Sequence, residues 1–161
     1  MDMTMMREKY VAVMNKTLAT LENVVAPLSQ EQATTWRDGH DGWTTVEVLC
    51  QLRDFDEIFR RRAEMIVKLQ TPQLPGYDHE QMAADNRYND QELATVLAEL
   101  KASREKTHAF FAGLSTADWE NTGVHPEFGT WSLTRAVMQV SHHDIDHTEQ
   151  ITRIIATHAP R

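Results

Sequence analysis

Four long segments carry apolar residues at three- and four-residue spacing, and polar stretches holding most of the glycines and prolines separate them. That pattern leaves few folds open, because each segment buries one stripe and needs partners to cover it. The first runs from about Thr4 to Val25, with Met6, Tyr10, Val13, Met14, Leu18, Leu21 and Val25 in register, and Pro27 ends it. Ser29, followed three residues later by Gln32, has the form of a cap for a short helical turn. The second begins at Thr44 or Thr45, reads Val48, Gln51, Phe55, Ile58, Arg62, Met65, Ile66 and Leu69, and is closed by Pro72 and Pro75. The third begins near Asp90 and carries Leu93, Val96, Leu97, Leu100, Arg104, Thr107, Phe110 and Phe111 before Gly113. The fourth begins between Thr130 and Ser132 and runs to about Thr157 along Leu133, Ala136, Val137, Val140, Ile151, Ile154 and Ile155. No run alternates as a half-buried strand does. The expectation is an all-α four-helix bundle forming one domain over residues 1–161, with two longer connections.

Composition narrows the function classes. At 41% apolar residues the chain can build a core. Its single cysteine, Cys50, excludes an internal disulfide framework or a cysteine-based zinc site and suits a reducing compartment. The first ten residues carry Asp2, Arg7, Glu8 and Lys9 with no apolar run after them, so no signal peptide is expected, nor any membrane span; a cytoplasmic location follows as the expectation. A net charge of −8 repels phosphate backbones, which argues against nucleic-acid binding. Arg60, Arg61 and Arg62 are the one basic run, and three consecutive residues splay around a helix, so the run reads as a solvated face.

Chemistry concentrates in Ser141 to Gln150. Relative to Val140, His147 falls within about 20° of the apolar stripe and His143 within about 60°. Asp144 lies at the opposite margin. Histidines four residues apart share a helix face, and their imidazoles can converge on one metal ion. The plainer alternative is a pair satisfied by hydrogen bonds at the core margin. Two imidazoles leave an ion under-coordinated, so a third ligand has to come from another helix. Gln51 interrupts the second stripe, and Asp54 and Glu47 flank it with better donors. His125, in the connection leading into the last helix, can reach the mouth of the site, whereas His40, His79, His108 and His158 read as surface or loop residues. Trp43 and Trp131 read as packing residues at the bundle ends, and Cys50 faces away from the site. No glycine-rich phosphate loop and no activated serine is marked.

Three stretches carry a family likeness. Gly42-Trp43-Thr44-Thr45-Val46-Glu47 through Asp54 resembles the opening of the second helix in the DinB/YfiT-like superfamily. Leu74-Pro75-Gly76-Tyr77-Asp78, with Asn86-Arg87-Tyr88, resembles the connection of one of its branches. His125-Pro126-Glu127-Phe128-Gly129-Thr130-Trp131-Ser132-Leu133, followed by His143-Asp144-Ile145-Asp146-His147-Thr148-Glu149-Gln150-Ile151, resembles its last-helix signature. The resemblance implies an up-up-down-down bundle, often a homodimer, and a divalent metal, nickel or zinc, held by three histidines. It implies a small-molecule substrate and thiol S-transfer with bacillithiol or mycothiol, or a mycothiol-dependent isomerisation. His143 and His147 match the last-helix pair, while Gln51 stands where the family places the third histidine. Three outcomes are then open. The metal is lost, or it is held weakly with water or Asp54 completing its surroundings, or Gln51 binds a ligand in a metal-free pocket. Asp54, Asp144 and His125 are the expected substrate-contacting or supporting residues. The competing functions are a metal-dependent transferase or hydrolase-like enzyme, a metal-free small-molecule-binding or self-protection protein, and a structural or regulatory homodimer with a vestigial site.

Overall fold

The computed structural model describes residues 2–159. Among these residues the main elements are six α-helices and one short hairpin. They are α1 (Met3–Val25), α2 (Gln30–Thr35), α3 (Thr45–Lys68), α4 (His79–Asp85), α5 (Leu93–Ala112), β1 (Thr122–His125), β2 (Gly129–Ser132) and α6 (Leu133–His158). The four long helices α1, α3, α5 and α6 form the bundle. Among the described residues no helix is long and apolar enough to cross a membrane.

Local sequence sets the helix starts. Thr44 caps α3 reciprocally with Glu47: the Glu47 amide donates to the Thr44 hydroxyl, and the Thr44 amide donates to the Glu47 carboxylate at 2.7 Å. Ser29 and Gln32 do the same for α2, and the Ser132 hydroxyl caps α6. The third long helix starts at Leu93 rather than at Asp90, which sits in a 3₁₀ turn spanning Tyr88–Asp90. A tertiary contact supplies its cap, the Gln30 side chain accepting from the Leu93 amide at 2.7 Å.

Helix directions follow from the cross-helix bonds. Arg7 donates to Thr134 and Thr17 to Asp144, so α1 and α6 run the same way. Arg53 meets Glu99, and Thr107 meets Asp56, so α3 and α5 run together. Lys101 pairs with Glu22 while Arg104 reaches the Met14 carbonyl, which sets α5 against α1. The all-α four-helix bundle is therefore as expected, but its order is up-down-down-up and not the expected up-up-down-down. The physical cause is the connection between α3 and α5. It begins beside the hairpin, where the Leu74 amide donates to the Val124 carbonyl, and ends beside the start of α3, where Asn89 bonds Thr34 and Thr44. It thus spans the bundle and returns the chain to the end from which α3 set out.

Two apolar clusters fill the interior. One joins Leu18 and Leu21 with Val46, Leu49, Val96 and Ile151; the other joins Met14 with Phe59, Ile66, Phe111, Leu133 and Val140. Between them lies a charged layer. Arg104 donates from Nε to Asp56 at 2.6 Å, and from Nη1 and Nη2 to Asp144 at 2.7 and 2.9 Å. Ser103 and Thr107 satisfy the rest of Asp56, and Thr17 donates to Asp144. All three charged residues are 1% exposed. Buried charge is tolerated when it is paired and its remaining hydrogen bonds are made, as here.

The hairpin corrects the expectation that the chain holds no strand. Its four-residue strands pair antiparallel from Thr122 opposite Ser132 to His125 opposite Gly129. Strands this short give no legible alternation. Gly129, at φ +66°, turns the chain where an L side chain is strained. Gly123 lets β1 press on α3: a Cβ there would stand 3.0 Å from Ile66 Cγ1 and 3.1 Å from the Pro72 carbonyl oxygen.

Candidate metal and substrate site

His143 and His147 lie on successive turns of α6, and their Nε2 atoms stand 3.2 Å apart. Phe55 and Phe59 of α3 pack against the His143 ring, with centroids at 5.5 and 5.4 Å. The orientation of His147 is fixed from behind. Its Nδ1 is 2.8 Å from Gln150 Oε1, and Gln150 Nε2 donates to Asp38 at 3.2 Å. Because the amide nitrogen serves the carboxylate, the amide oxygen faces the ring. Nδ1 of His147 therefore carries the proton, and its Nε2 lone pair faces His143. Asp38 is itself held by Arg153, which pulls its carboxyl below the usual range. Burial pushes the His143 pKa down to about 3, with His147, Arg104 and His79 adding to the shift; burial also lowers His147. Both rings are neutral at pH 7, the form that ligates metals.

Geometry tests whether the pair fits an ion. Two nitrogens bound about 2.05 Å from one ion at a tetrahedral angle stand about 3.3 Å apart. The observed 3.2 Å matches that span. The rest of the donor set is poorer. Gln51 is half-buried, one turn before Phe55 on the same face of α3, and offers only a neutral amide. Among the described residues no group of three or more His, Cys, Asp or Glu side chains is arranged to hold a metal.

The other residues expected near the site separate into those that reach the adjoining cavity and those that do not. That cavity, of about 260 Å³, has His143 on its wall together with Phe55, Phe59, Trp131 and His125. His125 is 5% exposed, its ring stacked on Trp131 at 4.9 Å. Its Nδ1 accepts from the Glu127 amide, and burial, then the charge of Arg62, lowers its pKa. Trp131 is thus both a packing residue and a cavity wall. Asp54 faces elsewhere, accepting from the Tyr88 hydroxyl at 2.5 Å and from Arg53 at 2.8 Å. Glu47 is used by the α3 cap and by Arg37. Asp144 is committed to Arg104 and Thr17, and acts on His147 only through its charge. Cys50 is fully buried, and burial pushes its thiol up to about 12.

Several cavity residues escaped the sequence reading, among them Tyr77, Glu127, Gln139, His79 and Arg62. His79, read as a loop residue, stands on α4 on the cavity wall. Arg62, read as part of a solvated run, is only 6% exposed and lines the same cavity. Its place on the α3 stripe was the available signal; for His79 the sequence offers none.

Residues 14–151 match the family model described as the DinB superfamily. The chain belongs to the DinB superfamily. A DinB-like bundle of this kind has relatives of known name. A protein of Oceanobacillus iheyensis with the provisional name metal-dependent hydrolase is 28% identical over 135 residues, covering 83% of this chain and 77% of its own. The fold is similar to that of YfiT from Bacillus subtilis, described as a candidate metal-dependent hydrolase with an unusual four-helix bundle topology. The TM-score is 0.85 at 22% identity, over 94% of this chain and 86% of that one. The mycothiol-dependent maleylpyruvate isomerase is also similar, with a TM-score of 0.76 at 9% identity, over 90% of this chain and 60% of that one. At such identities these two structures speak for the fold.

Proposed function

We propose that this DinB-superfamily chain is a divalent-metal-dependent enzyme acting on a small molecule in the cavity beside His143. The observation that carries the reading is the 3.2 Å separation of the His143 and His147 Nε2 atoms, with the His147 lone pair directed between them by Gln150. His143 and His147 would hold the ion, nickel or zinc, and the Gln51 amide oxygen would be a weak third donor. When bound, such an ion lowers the pKa of a coordinated thiol or water and so supplies a nucleophile at neutral pH. The chain's own residues do the rest. Phe55 and Phe59 pack against the His143 ring and hold it in place, and the Asp38–Gln150 pair holds the His147 ring against rotation.

The provisional hydrolase name of the Oceanobacillus relative and of YfiT supports water as the activated group. The isomerase's dependence on mycothiol supports a low-molecular-weight thiol as partner, which makes S-transfer the finer reading. A specific feature favours a second reading. With an amide at position 51, the histidine pair can close on itself through an Nε2–H···Nε2 bond, leaving a metal-free small-molecule-binding or self-protection pocket.

Metal analysis of protein purified without a histidine tag separates the two. Stoichiometric nickel or zinc that is lost in His147→Ala supports the enzyme. No metal after incubation with excess ion overturns it and leaves the binding protein. Gln51→His is expected to raise metal affinity about 10-fold or more.

A further inference from the structure

Among the described residues no carboxylate lies within ion-pair distance of Arg62, although Glu127 on the same cavity wall acts on its charge from further off. Nε and Nη2 both donate to the Pro75 carbonyl, at 3.1 and 2.5 Å, and the Tyr77 ring lies 5.3 Å from Cζ. Nη1 has no protein acceptor among these contacts, although the residue is only 6% exposed. The other deeply buried arginine, Arg104, meets two aspartates. Buried charges are normally paired, so a cation left without a partner on a cavity wall marks a place where the partner arrives with a ligand.

A second donor lines the same cavity. His125 Nδ1 accepts from the Glu127 amide, so the neutral ring carries its proton on Nε2, which has no acceptor among the contacts of the protein. Phe55, Phe59 and Trp131 give the cavity flat apolar faces, and Glu127, His79 and Gln139 make the rest of its wall polar. About 260 Å³ admits only a small molecule.

We infer that the cavity binds a small planar carboxylate, with its anionic end on Arg62 Nη1 and His125 Nε2 and its apolar body between the aromatic rings. This extends the proposed function by naming the substrate class, and it rests on reading the cavity as the substrate site. The guanidinium supplies a fixed donor to the carboxylate, and the aromatic walls reduce the water that screens the pair. The bound end of the substrate would then leave its other end toward His143.

The test uses chelator-treated full-length protein titrated calorimetrically with benzoate and with its neutral isostere benzamide. Benzoate is expected to bind with a Kd of about 1 mM or tighter. Benzamide is expected to bind at least about 10-fold more weakly, a comparison that needs no variant. Arg62→Gln is expected to bring benzoate down to the benzamide level, and Arg62→Lys to recover part of the difference. Equal binding of the two compounds, no benzoate binding, or an Arg62→Gln protein that binds benzoate as the parent does would overturn the assignment. The same titration on zinc-loaded protein and on His147→Ala separates it from the metal reading. Benzoate bound without zinc and unaffected by His147→Ala supports the arginine site even if no ion binds. Benzoate bound only with zinc present makes the anion a metal ligand and overturns the arginine site.

Discussion

The side chain of Gln150 stands between His147 and Asp38, its oxygen 2.8 Å from the ring and its nitrogen 3.2 Å from the carboxylate. A metal-binding histidine commonly has its distal nitrogen held by a carboxylate or carbonyl, which fixes the tautomer and the ring plane. Here an amide does this, with Asp38 one bond further out and Arg153 behind it. Gln150→Leu is expected to weaken zinc or nickel binding about 10- to 100-fold while His143 and His147 remain. Gln150→Glu, which keeps an acceptor on Nδ1, is expected to restore most of it. Competition with a chromophoric chelator measures both. Unchanged affinity in the leucine variant would sink the positioning role.

Acid stability of the ion-free protein is expected to depend on the histidine pair. The fold holds His143 at about 3, against 6.5 for an ordinary histidine, because burial penalises its charged form. The unfolded chain therefore binds protons that the native chain refuses. The stabilisation is complete above the ordinary pKa of 6.5, declines as pH falls below it, and levels off near 3. Holding His143 neutral contributes a slope of about 1.4 kcal/mol per pH unit within that window. Urea denaturation between pH 4 and 7 (about that range resolves the slope) should show a shallower dependence in His143→Gln. Parallel curves for the two proteins would refute the assignment.

Arg104 is expected to be the costliest single charge to remove. Arg104→Met leaves Asp56 and Asp144 facing each other without their cation and without access to water. Breaking a buried pair from one side costs about 3–5 kcal/mol, and this arginine serves two partners. Chemical denaturation of the variant measures it. A loss below about 1 kcal/mol would mean that water enters the layer and replaces the guanidinium.

Cys50 is expected to be inert. It lies on α3, sealed under the Tyr88 segment, with Sγ 3.7 Å from the Tyr88 carbonyl oxygen, and its thiol stays protonated. Modification by a thiol reagent should proceed only as fast as the native chain unfolds, and Cys50→Ala should leave metal binding within about two-fold. Rapid labelling of the native protein would contradict the burial argument.

The long helices were legible because each buries one stripe against several neighbours, and the three-four period records that directly. The His143–His147 pair was legible for the same reason: two polar residues on an apolar face stand out. Helix order was not, because direction depends on where a connection ends, and residues 69–92 carry no period that says they span the bundle. The hairpin was missed because four residues per strand hold too little alternation, and its place is set by Gly123 and by bonds to Pro72 and Leu74. Asp54 and Asp144 look alike in sequence, each a carboxylate near a candidate ligand, yet both are bound to arginines on other faces. Arg62 shows the converse: its stripe position pointed inward, and the neighbouring arginines disguised it.

The layer of Arg104, Asp56 and Asp144 touches all four long helices, through the Met14 carbonyl and Thr17 on α1, and contributes no donor to the cavity wall. A one-turn slip of any helix would break it, so the frame keeps its register without help from the residues around the ligand. The walls are then free to diverge. The amide at position 51 sits outside that layer, so the residue there can change and the bundle still assembles, which makes the scaffold a durable mount for changing chemistry.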